Sequence, residues 1–297
     1  MGMESPAVHL SSRCGGARHA WICADSDAVE MGVHGSLPPA MCDENALWYD
    51  NFEDLGNWTI RSSPPQNYYE DCAFVSSNVA YDNSGLKLTA RSTYEGTGAP
   101  GDYYFGGQVA SNQSFGPEQG YTLSCSMKPS GENGVIDAFG VQGLLRGDPR
   151  DEDRCSENYH HIDIELTRDP TGMVKCSFIT GTRKYQCLRD DVFNDHCPWY
   201  DASGHDRIES SSSILLPASY ADEFHKYGFR WGRTAVHFMI EDSVVSVHEE
   251  SEPVLRIVPT RRALIRLRTW IADRAWTGPG DSVPSGTGCT SVVGAVC

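Results

Sequence analysis

Polar and apolar side chains alternate with a period of two in one short run after another. That period belongs to β-strands, whose successive residues point to opposite faces. Residues 85–90 place Leu86 and Leu88 on one side. Residues 106–111 and 121–127 alternate again, with a turn at Ser114-Phe115-Gly116 between them. Further strands are predicted over 135–142 and 173–179. Residues 224–231 set Tyr227, Phe229 and Trp231 on one face. Residues 236–240 and 244–247, joined by the polar turn Glu241-Asp242-Ser243, predict a β-hairpin. The run 263–270 ends the series and leads into Ala275-Trp276-Thr277-Gly278-Pro279. Short strands with Gly and Pro turns, no sustained helical period and no internal repeat predict one all-β sandwich.

The most informative run is 159–167, Tyr-His-His-Ile-Asp-Ile-Glu-Leu-Thr. His161, Asp163, Glu165 and Thr167 share one face; His160, Ile162, Ile164 and Leu166 share the other. The first face is acidic and wet, the second apolar, so the strand backs onto a core and fronts a groove. His160, on the apolar side, is expected to be a core histidine, and Trp231 a core residue. Two carboxylates at i, i+2 repel, which opposes ionising both, and such pairs are candidates for acid/base work. A solvated acidic strand is the competing reading.

Composition narrows the partners. The chain has 297 residues and a formal net charge of -16, which makes nucleic acid and anionic membrane surfaces poor partners. No apolar run approaches the ~20 residues of a membrane span. The 11 cysteines are scattered without a Cys-x-x-Cys pair, so no zinc site is expected. Together with the sequons Asn57-Trp58-Thr59 and Asn112-Gln113-Ser114 they suggest an extracellular or secretory-pathway setting. Cys176 and Cys187, flanking Thr180-Gly181-Thr182, are the expected cross-strand disulfide. Residues 1–44 lack periodicity and an apolar signal-like run, and read as a disordered or leader-like segment. The domain is expected over 45–281, followed by a Gly/Ser linker and short tail over 282–297.

The order of these pieces resembles glycoside hydrolase family 16, the laminarinase, lichenase and xyloglucan endotransglycosylase group. His161-Ile162-Asp163-Ile164-Glu165 is similar to the family's Glu-x-Asp-x-Glu strand. Residues 107–111, with Ser114-Phe115-Gly116 and Tyr121, resemble the strand, turn and strand leading to the site. Residues 135–140 resemble its Pro-Ala-Phe-Trp segment, with Gly140 in place of the Trp. Residues 224–231 and 236–242 resemble the segment crossing behind the groove. Leu267-Arg268-Thr269-Trp270 and Trp276-Thr277-Gly278 resemble the late strand whose tryptophans contact sugar. The match spans roughly Asn45 to Asp281.

The resemblance implies a concanavalin A-like jelly-roll β-sandwich with a sugar groove, acting as a monomer on polysaccharide, a neutral β-glucan, without a cofactor. It assigns Glu165 as acid/base, Asp163 as helper, and Trp270 and Trp276 as sugar-binding residues. The nucleophile position falls on His161. Retaining chemistry needs two carboxyl groups about 5 Å apart, one of them forming a glycosyl ester, and an imidazole does not form that ester. Three readings stay open: a glucan-binding protein that no longer cuts; an enzyme using Glu165 with a water activated by Asp163 or a carboxylate of another strand; and a lyase with His161 as base and Tyr159 or Tyr104 as acid. No metal is expected, since His161, Asp163 and Glu165 lie too far apart along a flat strand to chelate one ion. The family closes with a strand after its tryptophan loop; here 289–297 either is that strand or leaves a sheet edge open.

Overall fold

The computed structural model describes residues 48–62, 72–82, 84–92, 104–143, 159–183, 188–189, 192–193, 207–250, 257–271 and 288–296. The expected leader-like segment, Cys187 and Trp276 lie outside them. In chain order the strands are β1 (Trp58–Ile60), β2 (Cys72–Phe74), β3 (Val79–Asp82), β4 (Gly85–Ser92), β5 (Tyr104–Phe115) and β6 (Thr122–Lys128). They continue as β7 (Val135–Gly143), β8 (Tyr159–Arg168), β9 (Val174–Arg183), the short pair β10 (Leu188–Arg189) and β11 (Val192–Phe193), and β12 (Arg207–Leu216). Then follow β13 (His225–Trp231), β14 (Ala235–Ile240), β15 (Ser243–Glu249), β16 (Ala263–Ile271) and β17 (Gly288–Val296). Among the described residues the helical elements are three single 3₁₀ turns, none long and apolar enough to cross a membrane.

Hydrogen-bonded neighbours run β12-β9-β8-β7-β16-β5-β4-β17-β6-β13-β14-β15. Strand β5 is the bend in this path. Its body pairs with β16, while Tyr104 and Phe105 pair with β4. The two halves therefore fold face to face. Phe139 of β7 meets Phe229 of β13 at 5.5 Å between ring centroids, and Phe178 of β9 meets Phe238 of β14 at 5.1 Å. None of these strands are sheet neighbours, so the contacts cross between layers, and the expected all-β sandwich is the fold observed. The inward set Phe139, Val141, Ile162, Ile164, Leu166 and Phe178 from one layer packs against Leu86, Leu123, Met127, Phe229, Trp231 and Phe238 from the other. Each buried side chain of this size contributes roughly 1.5–3 kcal/mol. Trp231 is fully buried, as expected, and its indole N–H donates to the Pro259 carbonyl at 2.7 Å.

The predicted hairpin forms through Glu241 and Asp242, whose φ of 48° and 64° are the paired left-handed values of a type I′ turn. The apolar tail forms β17, inserted between β4 and β6, with Val293 opposite both Leu86 and Met127. It is the closing strand, and it lies well inside the sheet. Of the long strands, the one without a sequence signal is β12, whose Ser210 to Ser213 offers no apolar alternation. It stands at the end of the path, where one neighbour suffices and no apolar stripe is needed.

Two polar seams cross the core. In one, Asp137 accepts from the Ser130 N–H at 2.7 Å, and Thr269 Oγ1 lies 2.8 Å from its other oxygen. The Thr269 hydroxyl also contacts Ser291 of β17, whose hydroxyl reaches toward the Leu88 carbonyl. In the other, His248 of β15 has Nδ1 at 2.9 Å from Thr180 Oγ1 and Nε2 at 3.0 Å from Ser212 Oγ. Cys72, Cys176 and Cys289 are buried free thiols, and Cys125 is buried as well. The expected Cys176–Cys187 disulfide is therefore not formed. On β9 the even positions face the core, so Cys176 shares its direction with Phe178 rather than with a surface turn.

Candidate functional site

Register fixes which side chains share the outer face of the β8 layer, because residues directly opposite in adjacent strands point the same way. On β8 that face holds His161, Asp163 and Glu165. Opposite them on β7 stand Gln142, Gly140 and Ala138, and on β9 Gly181, Ile179 and Ser177. Beyond β7, strand β16 places Leu264, Arg266, Arg268 and Trp270 opposite Gln142, Gly140, Ala138 and Ile136. Beyond that, Gln108 of β5 lies opposite Arg268. The period-two reading of the strand thus holds: Ile162, Ile164 and Leu166 are fully buried between the layers. His160 takes the core side as expected, 2% exposed, its ring against the Cα of Gly143.

The acidic face is not wet, however. His161 and Asp163 are 5% exposed and Glu165 9%. What makes such burial tolerable for Asp163 is Arg268: its Nη2 lies 2.8 Å from Asp163 Oδ1, and both side chains are nearly solvent-free. Isolated, either charge would carry a desolvation cost of several kcal/mol; paired, most of it is offset. The pair spans a whole strand. Asp163 and Arg268 sit on either side of β7, and the β7 residues beneath them are Gly140 and Ala138. A Cβ on Gly140 would run into the Asp163 carboxylate and the Ile162 carbonyl. A larger side chain at this position would fill the space that the Asp163 side chain crosses.

The same guanidinium lies over the ring of Trp270, 5.0 Å from its centroid, at cation–π distance. Trp270 itself is 3% exposed and packs in an apolar cluster with Ile136 and Ala138. The aromatic face proposed for sugar is thus covered by a neighbouring side chain. Trp276, its expected companion, lies outside the described residues. Arg266 and Arg268 are the functional candidates that residue-by-residue reading passed over. Their signal was the alternation Leu264-Ile265-Arg266-Leu267-Arg268-Thr269-Trp270, which puts both arginines on the tryptophan's side.

Chemically, the face offers the buried carboxyl of Glu165, a second carboxyl, Asp163, engaged by Arg268, and the imidazole of His161. The acid partner Tyr104 is not brought to His161. His161 lies at the level of Leu264, whereas Tyr104 lies past the level of Trp270, six residues further along β16, or about 20 Å. Tyr159 opens β8 two residues before His161, its side chain outside what is described. Among the described residues, no group of three or more His, Cys, Asp or Glu side chains is placed to hold a metal ion.

Solved structures share this architecture. A β-1,3-1,4-glucanase (lichenase) derived from a mouse hindgut metagenome superposes with a TM-score of 0.59 at 17% identity, covering 84% of this chain and 96% of its own. The Bacillus licheniformis β-glucanase gives 0.58 at 17% identity, covering 84% and 95%. A family 16 protein of the Bacteroides ovatus mixed linkage glucan PUL, in complex with a G4G4G3G product, gives 0.58 at 18% identity, covering 84% and 99%. At these identities the likeness is one of fold, and the fold is that of the family 16 jelly roll. No curated protein sequence matches the chain. The family model for glycosyl hydrolases family 16 matches residues 67–284, well over half of the sequence, and the chain belongs to that family.

Proposed function

We propose that the outer face of β8, β7 and β16 binds a neutral β-glucan chain and does not cleave it by the retaining mechanism. The observation that carries this reading is His161 in the nucleophile position, beside an Asp163 whose carboxylate is taken by Arg268. Retention requires a carboxylate to attack the anomeric carbon and hold it as an ester, with a second carboxyl about 5 Å away to give and take the proton. Glu165 supplies a candidate for the second role. The first has no carboxylate on this strand, and Asp163 is turned toward β16. Support for a glucan as ligand comes from the company the fold keeps: lichenases and laminarinases carry it, and one neighbour was solved with a mixed-linkage product.

The test has two readouts on the same samples. Retardation in gels containing laminarin, lichenan or xyloglucan measures binding, and release of reducing ends measures cleavage. The expected result is retardation by at least one glucan with no reducing ends. Reducing ends from the unaltered protein that vanish in Glu165→Gln would overturn the non-catalytic reading. Absence of both binding and cleavage would overturn the glucan reading.

A further inference from the structure

One side chain on the groove face does two jobs that a bound sugar would otherwise do. A β-linked pyranose presents a C–H face that packs on an indole ring, and hydroxyl groups that hydrogen-bond to carboxylates. In this chain Trp270 offers the ring and Asp163 the carboxylate. Arg268 has both. Its guanidinium is flat enough to lie over Trp270 at 5.0 Å, and its fork of donors reaches Asp163 at 2.8 Å.

The arrangement is built into the strands rather than being an accident of one rotamer. Arg268 and Trp270 are two apart on β16, so they share a face and neighbour each other along it. Gly140 and Ala138 leave a floor with almost no side chain between Arg268 and Asp163, and the backbone of Ile162 closes the space that any Cβ on Gly140 would need. Arg268 and Asp163 are both almost free of solvent. A guanidinium held there from two sides, with water excluded, is a better-defined occupant than a mobile surface arginine.

We infer that Arg268 is an internal occupant of the centre of the groove, competing with a sugar ring for Trp270 and Asp163 and thereby setting the affinity of the site. This rests on the groove being a glucan site. It says in addition that the glucan is held by the parts of the groove flanking Arg268, and that Trp270 adds nothing to binding until Arg268 is removed.

Calorimetric titration with laminarihexaose and with a mixed-linkage β-glucan hexasaccharide tests it, using whichever binds the unaltered protein. In that background Trp270→Phe is expected to change the dissociation constant by less than about twofold, because the ring face is already covered. Arg268→Ala is expected to tighten binding by roughly five- to tenfold, the range a newly exposed aromatic platform supplies. Adding Trp270→Phe to Arg268→Ala should abolish that gain. Since Arg268→Ala alone leaves Asp163 buried without its partner and can fail to fold, the pair Asp163→Asn with Arg268→Ala carries the same expectation, its folding verified by thermal melt. The inference is overturned if the unaltered protein binds and neither arginine variant binds more tightly, or if Trp270→Phe alone weakens binding tenfold. If neither the unaltered protein nor any arginine variant binds, the glucan reading falls, and this inference falls with it.

Discussion

Asp163 illustrates how a side chain's meaning depends on its partner. A buried aspartate next to an acid would be an expensive residue, and here it is one half of an ion pair whose other half comes from β16. Truncating only one member should therefore cost more than removing both. Arg268→Met is expected to destabilise the protein by about 3–5 kcal/mol, and Asp163→Leu combined with Arg268→Met to recover most of that loss. Urea unfolding of the three proteins reads the difference directly. A double variant less stable than Arg268→Met, by the full loss that Asp163→Leu causes alone, would mean that the two charges do not depend on each other. Gly140 makes a second, independent case. Because its Cβ would meet a carbonyl oxygen as well as the carboxylate, Gly140→Ala should lower stability by about 1–3 kcal/mol and shift the melting temperature downward. That His161, Asp163 and Glu165 share one face of β8 was legible in the sequence, since a period of two is a local property. The Asp163–Arg268 pairing was not legible. It depends on the register of β8, β7 and β16, which are brought together from distant parts of the chain. The burial of Asp163 goes with the same pairing, and was missed for the same reason.

At the level of elements, the strands most easily read from sequence were those with one apolar and one polar face, such as β4, β8 and β13. Strand β12 escaped because its serines carry no pattern. The Cys176–Cys187 expectation failed for a related cause: it set the two cysteines on either side of Thr180-Gly181-Thr182, but those residues lie within β9, on which Cys176 faces the core. The C-terminal strand was the most ambiguous element, and it has the largest consequence. Strand β17 pairs with β4 on one side and β6 on the other, buries Val293 and Val296 completely, and brings Ser291 to Thr269 of the opposite layer. Its loss would open two sheet edges at once and remove two core side chains. Truncation after residue 287 is accordingly expected to abolish the folded state rather than merely weaken it, seen as loss of the strand signature in far-ultraviolet circular dichroism. A truncated protein with an unchanged spectrum and a cooperative melt would show β17 to be an accessory strand.

For the molecule as a whole, the two polar seams tie stability to pH in opposite directions. Complete burial holds the Asp137 carboxyl above its ordinary value of 3.8, against the pull of its hydrogen bonds from Ser130 and Thr269. His248 is the reverse case: burial holds its pKa below 6.5, so the neutral ring is favoured between Thr180 and Ser212. For Asp137 the folded state binds more protons than the unfolded chain between pH 3.8 and the folded pKa, so stability falls as pH rises through that window. For His248 the folded state binds fewer protons between its folded pKa and 6.5, so stability falls as pH drops through that window. Each slope is limited to about 1.4 kcal/mol per pH unit. The net charge of -16 adds a pH-dependent self-repulsion of its own, but that background cancels when a variant is compared with the parent at each pH. Asp137→Asn should accordingly gain on the unaltered protein as pH rises from about 4, and His248→Gln should gain on it as pH falls below about 6.5. Denaturant titrations across pH 3.5 to 8 would show curves that diverge at opposite ends. If either variant runs parallel to the parent throughout, the corresponding seam does not titrate between the folded and unfolded states, and the proton assigned to it is wrong.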